Sequence, residues 1–271
     1  MIADLHTHTT VSDGQYTPTE LVRLAKLHSI QVLAVTDHDT IDGVNEAQCA
    51  GGTLGLQVIR GVELSAEEYP NFHILGYGFR TGNTELSRLC KKLQAGRDDR
   101  KYKIIDFLRE KGVNIDLVEV EELASGEVIA RPHFAQILVK HGYVSTNREA
   151  FDHYLDTKEF REKIKQFKAD SRTCIEAIKS AGGKVSLAHP YQMGLPDNEL
   201  EALVVQLKGW GLDAIECYYP KYIPEQQKFY LHLAEKYRLK KTGGSDFHGE
   251  KVKPDVQLAK WPMELDWLMN T

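Results

Sequence analysis

The sequence predicts an α/β fold in which about seven parallel strands close into a barrel. Short runs rich in Val, Ile and Leu recur along the chain at the length of buried strands. Amphipathic stretches with helix-capping residues separate many of these runs. A long charged region interrupts the alternation in the middle of the chain, which predicts a helical insertion between two barrel strands.

Seven apolar segments are predicted to be strands because they are short and rich in branched aliphatic residues. They are residues 2–6, 31–36, 56–63, 72–77, 184–189, 213–218 and 241–245.

Helices are predicted between these strands. Thr17-Pro18-Thr19-Glu20 forms a capping-box pattern with proline in the first turn, and it opens a helix that runs to about residue 29. A second helix covers residues 171–181 and stops at Gly182-Gly183, and further helices cover residues 197–210 and 224–238.

The helical insertion is predicted to span residues 82–169, so that residues 1–81 and 170–271 form the barrel domain. Its helices are predicted at residues 84–111, 119–125, 133–141 and 148–168. The charged stretch 91–111 could line a basic groove, but it is also typical of a solvated helix face.

Bulk composition narrows the class of protein. The 271 residues carry a formal net charge of −5, so no global positive field attracts nucleic acid. The four cysteines are scattered singly, which predicts neither disulfides nor a thiolate zinc site. Without a signal peptide or a long apolar run, we expect a cytoplasmic protein with no membrane contact and no obligate protein partner.

Potential metal ligands end nearly every predicted strand. Because the carboxyl ends of parallel strands open on one face of a barrel, we expect these side chains to converge. They are His6, His8 and Asp13 after the first strand, His38 after the second, Glu63 and His73 in the third and fourth, His189 after the fifth, and Asp246 and His248 after the last. Taken singly, each has an alternative as an exposed strand end, a turn cap or a core histidine. Six such coincidences favour a shared metal centre.

The motifs Asp4-Leu5-His6-Thr7-His8, Ser12-Asp13-Gly14, Thr36-Asp37-His38-Asp39, Gly61-Val62-Glu63, Ala188-His189-Pro190 and Gly244-Ser245-Asp246-Phe247-His248 occur in this order. Together they resemble the polymerase-and-histidinol-phosphatase (PHP) family of phosphoesterases over residues 2–77 and 181–249. The resemblance implies a distorted seven-stranded β/α barrel that holds two or three divalent metal ions.

The resemblance also implies a distribution of ligands. His6, His8 and Asp246 would hold the first metal, and Glu63 would bridge it to a second. His73 and His189 would complete the second site, where His133 competes with His189 for one position. The third site would use Asp13, His38 and His248. Asp4, Asp37 and Asp39 would bind ligand imidazoles from behind, or would cap turns.

Imidazole and carboxylate ligands without thiolate suit Mn²⁺, Fe²⁺ or Zn²⁺. Two cations bridged by a carboxylate lie about 3.5–4 Å apart and acidify water to give a bridging hydroxide at neutral pH. The expected reaction is therefore phosphate-ester hydrolysis.

Several features are similar to the subgroup of the family that acts on nucleotides. They are the helical insertion, Ala130-Arg131-Pro132-His133 and Tyr218-Tyr219-Pro220-Lys221. This similarity implies removal of the 3′-phosphate from nucleoside 3′,5′-bisphosphates, or 5′-to-3′ trimming of short oligonucleotides.

Arg131 is the predicted bidentate phosphate clamp, His133 a phosphate donor or proton source, and Lys221 a further phosphate contact. Each is also compatible with a structural role. Tyr218 and Tyr219 could stack on a base or belong to the core. The alternative functions are hydrolysis of histidinol phosphate or another small metabolite, and a non-catalytic, metal-stabilised interaction module.

Overall fold

The computed structural model describes residues 1–124, 129, 131–164 and 168–269, without the side chain of Asp98. The chain forms two compact units. One combines Met1–Lys91 with Lys168–Thr271, and the other is Lys92–Phe167. The sequence predicts these boundaries at residues 82 and 169.

The first unit is a nearly closed barrel of eight strands. In chain order they are β1 (Ile2–Asp4), β2 (Val32–Val35), β3 (Gln57–Ser65), β4 (His73–Tyr77), β5 (Lys184–Leu187), β6 (Ala214–Tyr218), β7 (Lys240–Gly243) and β8 (Trp261–Pro262). The sheet order is β7-β6-β5-β4-β3-β2-β1-β8. The predicted barrel is confirmed, but the count of seven strands missed β8, which spans two residues.

One strand runs against the others in the middle of the sheet. β4 pairs antiparallel with both β3 and β5, so the prediction of a wholly parallel sheet was wrong. The connection from Ser65 to His73 is too short for a helical crossover, and a parallel return needs about a dozen residues or more. As a consequence, His73 begins β4 opposite Ser65, near the carboxyl end of β3.

Backbone hydrogen bonds close the barrel between the ends of β1 and β7. The amide of Leu5 donates to the carbonyl of Gly243 at 3.1 Å, and the amide of Asp246 donates to the carbonyl of His6 at 2.8 Å. The amide of His8 donates to the carbonyl of Phe247 at 2.9 Å. This seam brings the segments after the first and last parallel strands side by side.

Some helices alternate with the barrel strands along the chain, and others belong to the second unit. They are α1 (Pro18–Leu27), α2 (Val44–Leu54), α3 (Thr84–Glu110), α4 (Leu117–Ala124), α5 (Arg131–Lys140), α6 (Asn147–Ala150), α7 (Lys158–Lys163), α8 (Ser171–Ser180), α9 (Asp197–Trp210), α10 (Pro224–Lys236) and α11 (Asp266–Met269). A π-helical turn covers Phe151–Leu155 and a 3-10 turn covers Pro190–Met193. Among the described residues, no helix has both the length and the apolar character needed to cross a membrane.

The capping box at the start of α1 is confirmed. The Thr17 side chain accepts a hydrogen bond from the amide of Glu20, and the Glu20 carboxylate accepts one from the amide of Thr17. α2 was not predicted, because Gly51 and Gly52 lower the helical propensity of its sequence.

The long helix predicted over residues 148–168 was wrong. The π-helical turn and the N-cap of Thr157, whose side chain accepts from the amide of Phe160, divide that stretch into separate pieces. Residues 165–167 of this prediction lie outside the described residues, as does Ser125 at the end of the helix predicted over 119–125.

Each unit has its own apolar core. Inside the barrel, Leu5, Ala34, Leu75 and Tyr77 are buried in one cluster, and the Tyr77 hydroxyl donates to the carbonyl of Leu5 at 2.9 Å. In the second unit a separate cluster is built from helical residues, including Phe107, Phe134, Leu138 and Phe160. The second unit therefore has a hydrophobic core of its own.

Candidate metal centre

Glu63 lies at the centre of the predicted ligands and is fully buried. Its Oε2 atom lies 3.2 Å from Nε2 of His6, 3.2 Å from Nε2 of His8 and 3.0 Å from Nδ1 of His38. Its Oε1 atom lies 2.8 Å from Nδ1 of His73 and 2.9 Å from Nε2 of His189. The two oxygens of one carboxylate thus face two different groups of imidazoles.

The segments that follow β1 and β7 contribute further ligand-type side chains to the cluster around Glu63. Nε2 of His8 lies 3.3 Å from Oδ1 of Asp246, and Nε2 of His6 lies 3.8 Å from the same oxygen. Nε2 of His248 lies 3.4 Å from Oδ1 of Asp13, and the rings of His8 and His248 stack with centroids 4.0 Å apart.

Three groups of side chains have ligand atoms close enough to share a cation. They are His6, His8, Glu63 and Asp246; His38, Glu63 and His73; and His8, Asp13, His38 and His248. His189 joins the second group through Glu63 and through Nδ1 of His73, which lies 3.4 Å from its Nε2 atom. All nine predicted ligands therefore lie in one cluster, although His8, His38 and Glu63 belong to two groups each.

Several buried atoms of this cluster have no hydrogen bond within the described part of the chain. They are Nε2 of His6, both ring nitrogens of His8, Oε2 of Glu63 and Nδ1 of His189. Buried polar atoms are rarely left unsatisfied, because each costs about 1–3 kcal/mol. Buried imidazole nitrogens and carboxylate oxygens that converge in this way are the ligand types that suit divalent cations.

Glu216 is a buried carboxylate behind the cluster that was not predicted. Its Oε1 atom lies 3.1 Å from Nδ1 of His6, and its Oε2 atom accepts a hydrogen bond of 2.7 Å from the amide of His189. A carboxylate that accepts the Nδ1 proton of His6 leaves its Nε2 atom as a ligand. The only signal in the sequence was a single acidic residue within an otherwise apolar strand.

Asp4 and Asp37 were expected either to bind imidazoles or to cap turns, and they bind backbone and hydroxyl groups. Asp37 accepts from the amide and hydroxyl of Thr9, both at 2.7 Å, and from the hydroxyl of Ser12 at 2.8 Å. Asp4 accepts from the amide and hydroxyl of Ser245. Both carboxylates thus fix the loops that carry the ligands.

Asp39 has a similar role at the next loop. Its carboxylate accepts from the amide and the hydroxyl of Ser65 at 2.7 and 2.9 Å, at the end of β3. Its backbone has a φ of 57°, in the left-handed region that non-glycine residues seldom adopt. Asp246 has the same φ of 57°, and His189 has a φ of 20°. Such strained residues concentrate at functional sites.

The cluster strongly perturbs the ionisation of its members. Burial works against protonation of His8, but the carboxylates of Asp246 and Glu63 outweigh it and raise its pKa to about 9. Burial likewise opposes protonation of His6, but Glu63 and Glu216 raise its pKa well above the usual range. Burial would raise the pKa of Glu63, yet the neighbouring imidazoles, led by His38 and His6, hold it well below its usual range.

Two other imidazoles are shifted the opposite way. Burial lowers the pKa of His73 and of His248 below the usual histidine value, although each faces a carboxylate. These rings therefore favour the neutral form, which is the form that binds metal ions.

The predicted substrate contacts lie at different places in the chain. Arg131 begins α5 in the second unit, where its guanidinium donates to Oδ1 of Asp156 at 3.0 Å and lies over the ring of Phe151. His133 lies in the first turn of the same helix and is partly buried. Lys221 is exposed in the loop after β6. Ala130 lies outside the described residues.

The two tyrosines after β6 have different surroundings. Tyr219 is buried, and its hydroxyl donates to Oδ2 of Asp246 at 2.9 Å. Tyr218 stacks on Trp261, with the ring centroids 5.7 Å apart. Tyr219 is therefore in contact with a predicted ligand, whereas Tyr218 packs against the residue that begins β8.

Comparison with known proteins gives a match to the PHP domain family model over residues 4–177 of this chain. A 5′-3′ exoribonuclease from Haemophilus influenzae is 37% identical over 246 residues, covering 90% of this chain and 89% of its own. A 3′,5′-nucleoside bisphosphate phosphatase from Chromobacterium violaceum is 31% identical, covering 90% of this chain and 86% of its own. A phosphoribosyl 1,2-cyclic phosphate 1,2-diphosphodiesterase from Eggerthella lenta is also 31% identical, with coverages of 92% and 95%.

Solved structures share the fold. A protein from Bifidobacterium adolescentis, described as a metal-dependent phosphoesterase, superposes with a TM-score of 0.78 at 30% identity, covering 99% of this chain and 94% of its own. A Chromobacterium violaceum protein described as an amidohydrolase, with bound sulfate and no metal, gives a TM-score of 0.81 at 28% identity, with coverages of 97% and 92%. Together with the ligand groups described above, these relatives support divalent-cation binding by this chain.

Proposed function

This chain belongs to the PHP domain family, and on that premise we propose that it is a metal-dependent phosphoesterase that acts on nucleotides. Its substrates would be nucleoside 3′,5′-bisphosphates, which lose the 3′-phosphate, or short oligonucleotides, which are trimmed from the 5′ end. A small phosphorylated substrate requires no positive field over the whole protein, which agrees with the net charge of −5.

The position of Glu63 supports this proposal more than any other observation. One oxygen lies within 3.2 Å of nitrogens of His6, His8 and His38, and the other lies within 2.9 Å of nitrogens of His73 and His189. A buried carboxylate with imidazoles on both sides has the arrangement of a bridging ligand in hydrolases with two metal ions.

Two or three divalent ions, Mn²⁺, Fe²⁺ or Zn²⁺, would be held by these groups of side chains. When bound, such ions polarise phosphoryl oxygens and lower the pKa of water. The first group is His6, His8, Glu63 and Asp246, and the second is Glu63 with His73 and His189. The third is Asp13, His38 and His248. His38 lies close enough to Glu63 to serve the second group as well.

A few residues outside the ligand groups would orient the ligands or the substrate. Glu216 contacts Nδ1 of His6 and the backbone amide of His189, so it would keep two predicted ligands in place. Arg131 would bind two oxygens of a phosphate, and His133 would donate a proton to the leaving oxygen. Lys221 would add a further positive charge for the substrate.

The nucleotide preference draws on the relatives. Two of the three proteins compared above are named for nucleotide or RNA substrates, and each is aligned over most of both chains. The third is named for a cyclic phosphate of a phosphoribosyl compound, which makes cyclic phosphodiester hydrolysis a second candidate function.

A substrate panel tests the proposal. The full chain, loaded in turn with Mn²⁺, Fe²⁺ and Zn²⁺, is assayed with nucleoside 3′,5′-bisphosphate, short 5′-phosphorylated RNA, phosphoribosyl 1,2-cyclic phosphate and histidinol phosphate. We expect the two nucleotide substrates to be hydrolysed fastest. Preference for either of the other compounds by orders of magnitude would overturn the nucleotide assignment.

The same panel addresses a non-catalytic role. His6→Ala and Asp246→Ala variants are compared with the unmodified chain after their folding has been checked by circular dichroism. Hydrolysis that disappears in folded variants supports catalysis at this centre. Absence of hydrolysis from every metal form of the unmodified chain would leave an interaction module as the better explanation.

A further inference from the structure

A lysine lies beside the candidate metal centre, in the loop that follows the last predicted ligands. Nζ of Lys253 lies 2.9 Å from Oδ2 of Asp246. The other oxygen of that carboxylate, Oδ1, lies 3.3 Å from Nε2 of His8 and 3.8 Å from Nε2 of His6. The ammonium group and the imidazoles therefore approach Asp246 through different oxygens.

Lys253 is held more firmly than an ordinary surface lysine. Its side chain is 32% exposed, and its backbone amide donates to the carbonyl of Gly249 at 2.8 Å. Gly249 has a φ of 97°, a conformation that side-chain-bearing residues rarely adopt, and this turns the chain back after His248. The loop thus directs a partly buried cation to a predicted metal ligand.

Asp246 does not depend on Lys253 to satisfy its outer oxygen. The buried hydroxyl of Tyr219 donates to Oδ2 at 2.9 Å, and the side-chain amide of Gln192 supports that hydroxyl at 3.2 Å. A lysine ammonium has three protons to donate, and within the described residues Nζ of Lys253 makes this single hydrogen bond. Its other donors remain available to an anion.

We propose that Lys253 is a phosphate-binding residue that contacts a non-bridging oxygen of the substrate beside the group His6, His8, Glu63 and Asp246. This inference rests on the proposed phosphoesterase function. A cation at that group would share the negative charge of Asp246 and so weaken the ion pair between Asp246 and the Lys253 ammonium. The Lys253 side chain then pairs with the phosphate oxygen, in a partly dry environment where a charge-assisted bond is strong.

A phosphate-binding role and a purely structural role for Lys253 predict different effects of its removal on phosphate and Mn²⁺ binding. If the lysine only oriented Asp246, its removal would weaken Mn²⁺ binding first. If it binds phosphate, its removal weakens phosphate binding and leaves Mn²⁺ content unchanged. The two quantities can be measured on the same protein sample.

The experiment titrates inorganic phosphate into the Mn²⁺-loaded full chain by calorimetry, with metal content determined in parallel. We expect Lys253→Met to weaken phosphate binding about 10- to 100-fold, the range for loss of one charge-assisted hydrogen bond. Lys253→Arg should stay within a few-fold of the unmodified chain. Lys251→Met is the matched control, because Lys251 is an exposed lysine of the same loop, and it should have no effect.

Unchanged phosphate affinity in a folded Lys253→Met variant would overturn the inference, as would loss of Mn²⁺ from that variant. Lys253→Gln, which keeps a polar side chain, provides the same readout if the methionine variant melts at a lower temperature. Failure of the unmodified chain to bind phosphate would also overturn it. Phosphate binding that depends on Lys253 without hydrolysis of any panel substrate would instead refute the proposed function and leave this subsite standing.

Discussion

Nδ1 of His6 and Oε1 of Glu216 lie 3.1 Å apart, and neither side chain is exposed to solvent. The contact joins the segment after β1 to the strand β6, 210 residues later in the chain. Because Glu216 also accepts the amide of His189, a single carboxylate fixes one predicted ligand of each of the first two groups. The orientation of these ligands is therefore set by a residue outside the ligand set.

Replacing Glu216 by Gln should weaken Mn²⁺ binding about 10- to 100-fold, the usual range for a residue that orients a metal ligand. The amide keeps the size of the side chain but loses the charge that supports His6. Mn²⁺ affinity is measured by calorimetric titration of the metal-free variant. Glu235→Gln, which alters an exposed carboxylate paired with Lys241, is the control. Equal affinities in both variants would show that Glu216 does not orient His6.

Replacing Asp37 by Ala should destabilise the barrel unit by about 2–4 kcal/mol, since it leaves the three donors of Thr9 and Ser12 without their acceptor. Urea unfolding monitored by circular dichroism measures the change. Asp42 is an exposed residue of the same loop, and Asp42→Ala should have little effect. Similar unfolding midpoints for the two variants would contradict the role assigned to Asp37.

Metal uptake should release protons at neutral pH. In the metal-free protein the pKa of His8 is raised to about 9 and that of His6 is also raised, so both rings are protonated at pH 7.5. Only the neutral imidazole binds a cation. Mn²⁺ affinity should therefore rise with pH as the two rings lose their protons. Calorimetry at pH 7.5 in buffers of different ionisation enthalpy measures the released protons, and identical heats in all buffers would disagree with these shifts.

Replacing Arg131 by Ala should raise KM about 10- to 100-fold if its guanidinium clamps the substrate phosphate. The measurement is steady-state kinetics on the best substrate of the panel. Arg148→Ala is a suitable control, because Arg148 is an exposed arginine of the same unit that pairs with the exposed Asp152. An unchanged KM together with a lower melting temperature would assign Arg131 to its contact with Asp156 alone.

The sequence predicted correctly those parts of the fold that depend on local residue patterns. Apolar runs of strand length located all but the shortest strand, and the Thr17–Glu20 pattern located the start of α1. Ligand-type residues at strand ends predicted the cluster around Glu63, because parallel strands deliver their ends to one face. That inference needed only the order of residues along the chain.

Other features depend on tertiary structure and could not be read locally. The reversed direction of β4 leaves no mark in its apolar pattern, which suits either direction. Glu216 is a single acidic residue in a strand, and its role depends on where His6 lies. Tyr219 and Lys253 similarly acquire their contacts with Asp246 only in the folded chain.

In the metal-loaded protein, Glu63 would bridge two cations, one on each carboxylate oxygen. Crystals of the Mn²⁺-loaded protein, measured at the manganese absorption edge, test it directly through the anomalous difference map. We predict one peak bound by Oε2 of Glu63 with His6, His8 and Asp246, and a second bound by Oε1 with His73 and His189. A single peak, or peaks that do not touch Glu63, would contradict the account.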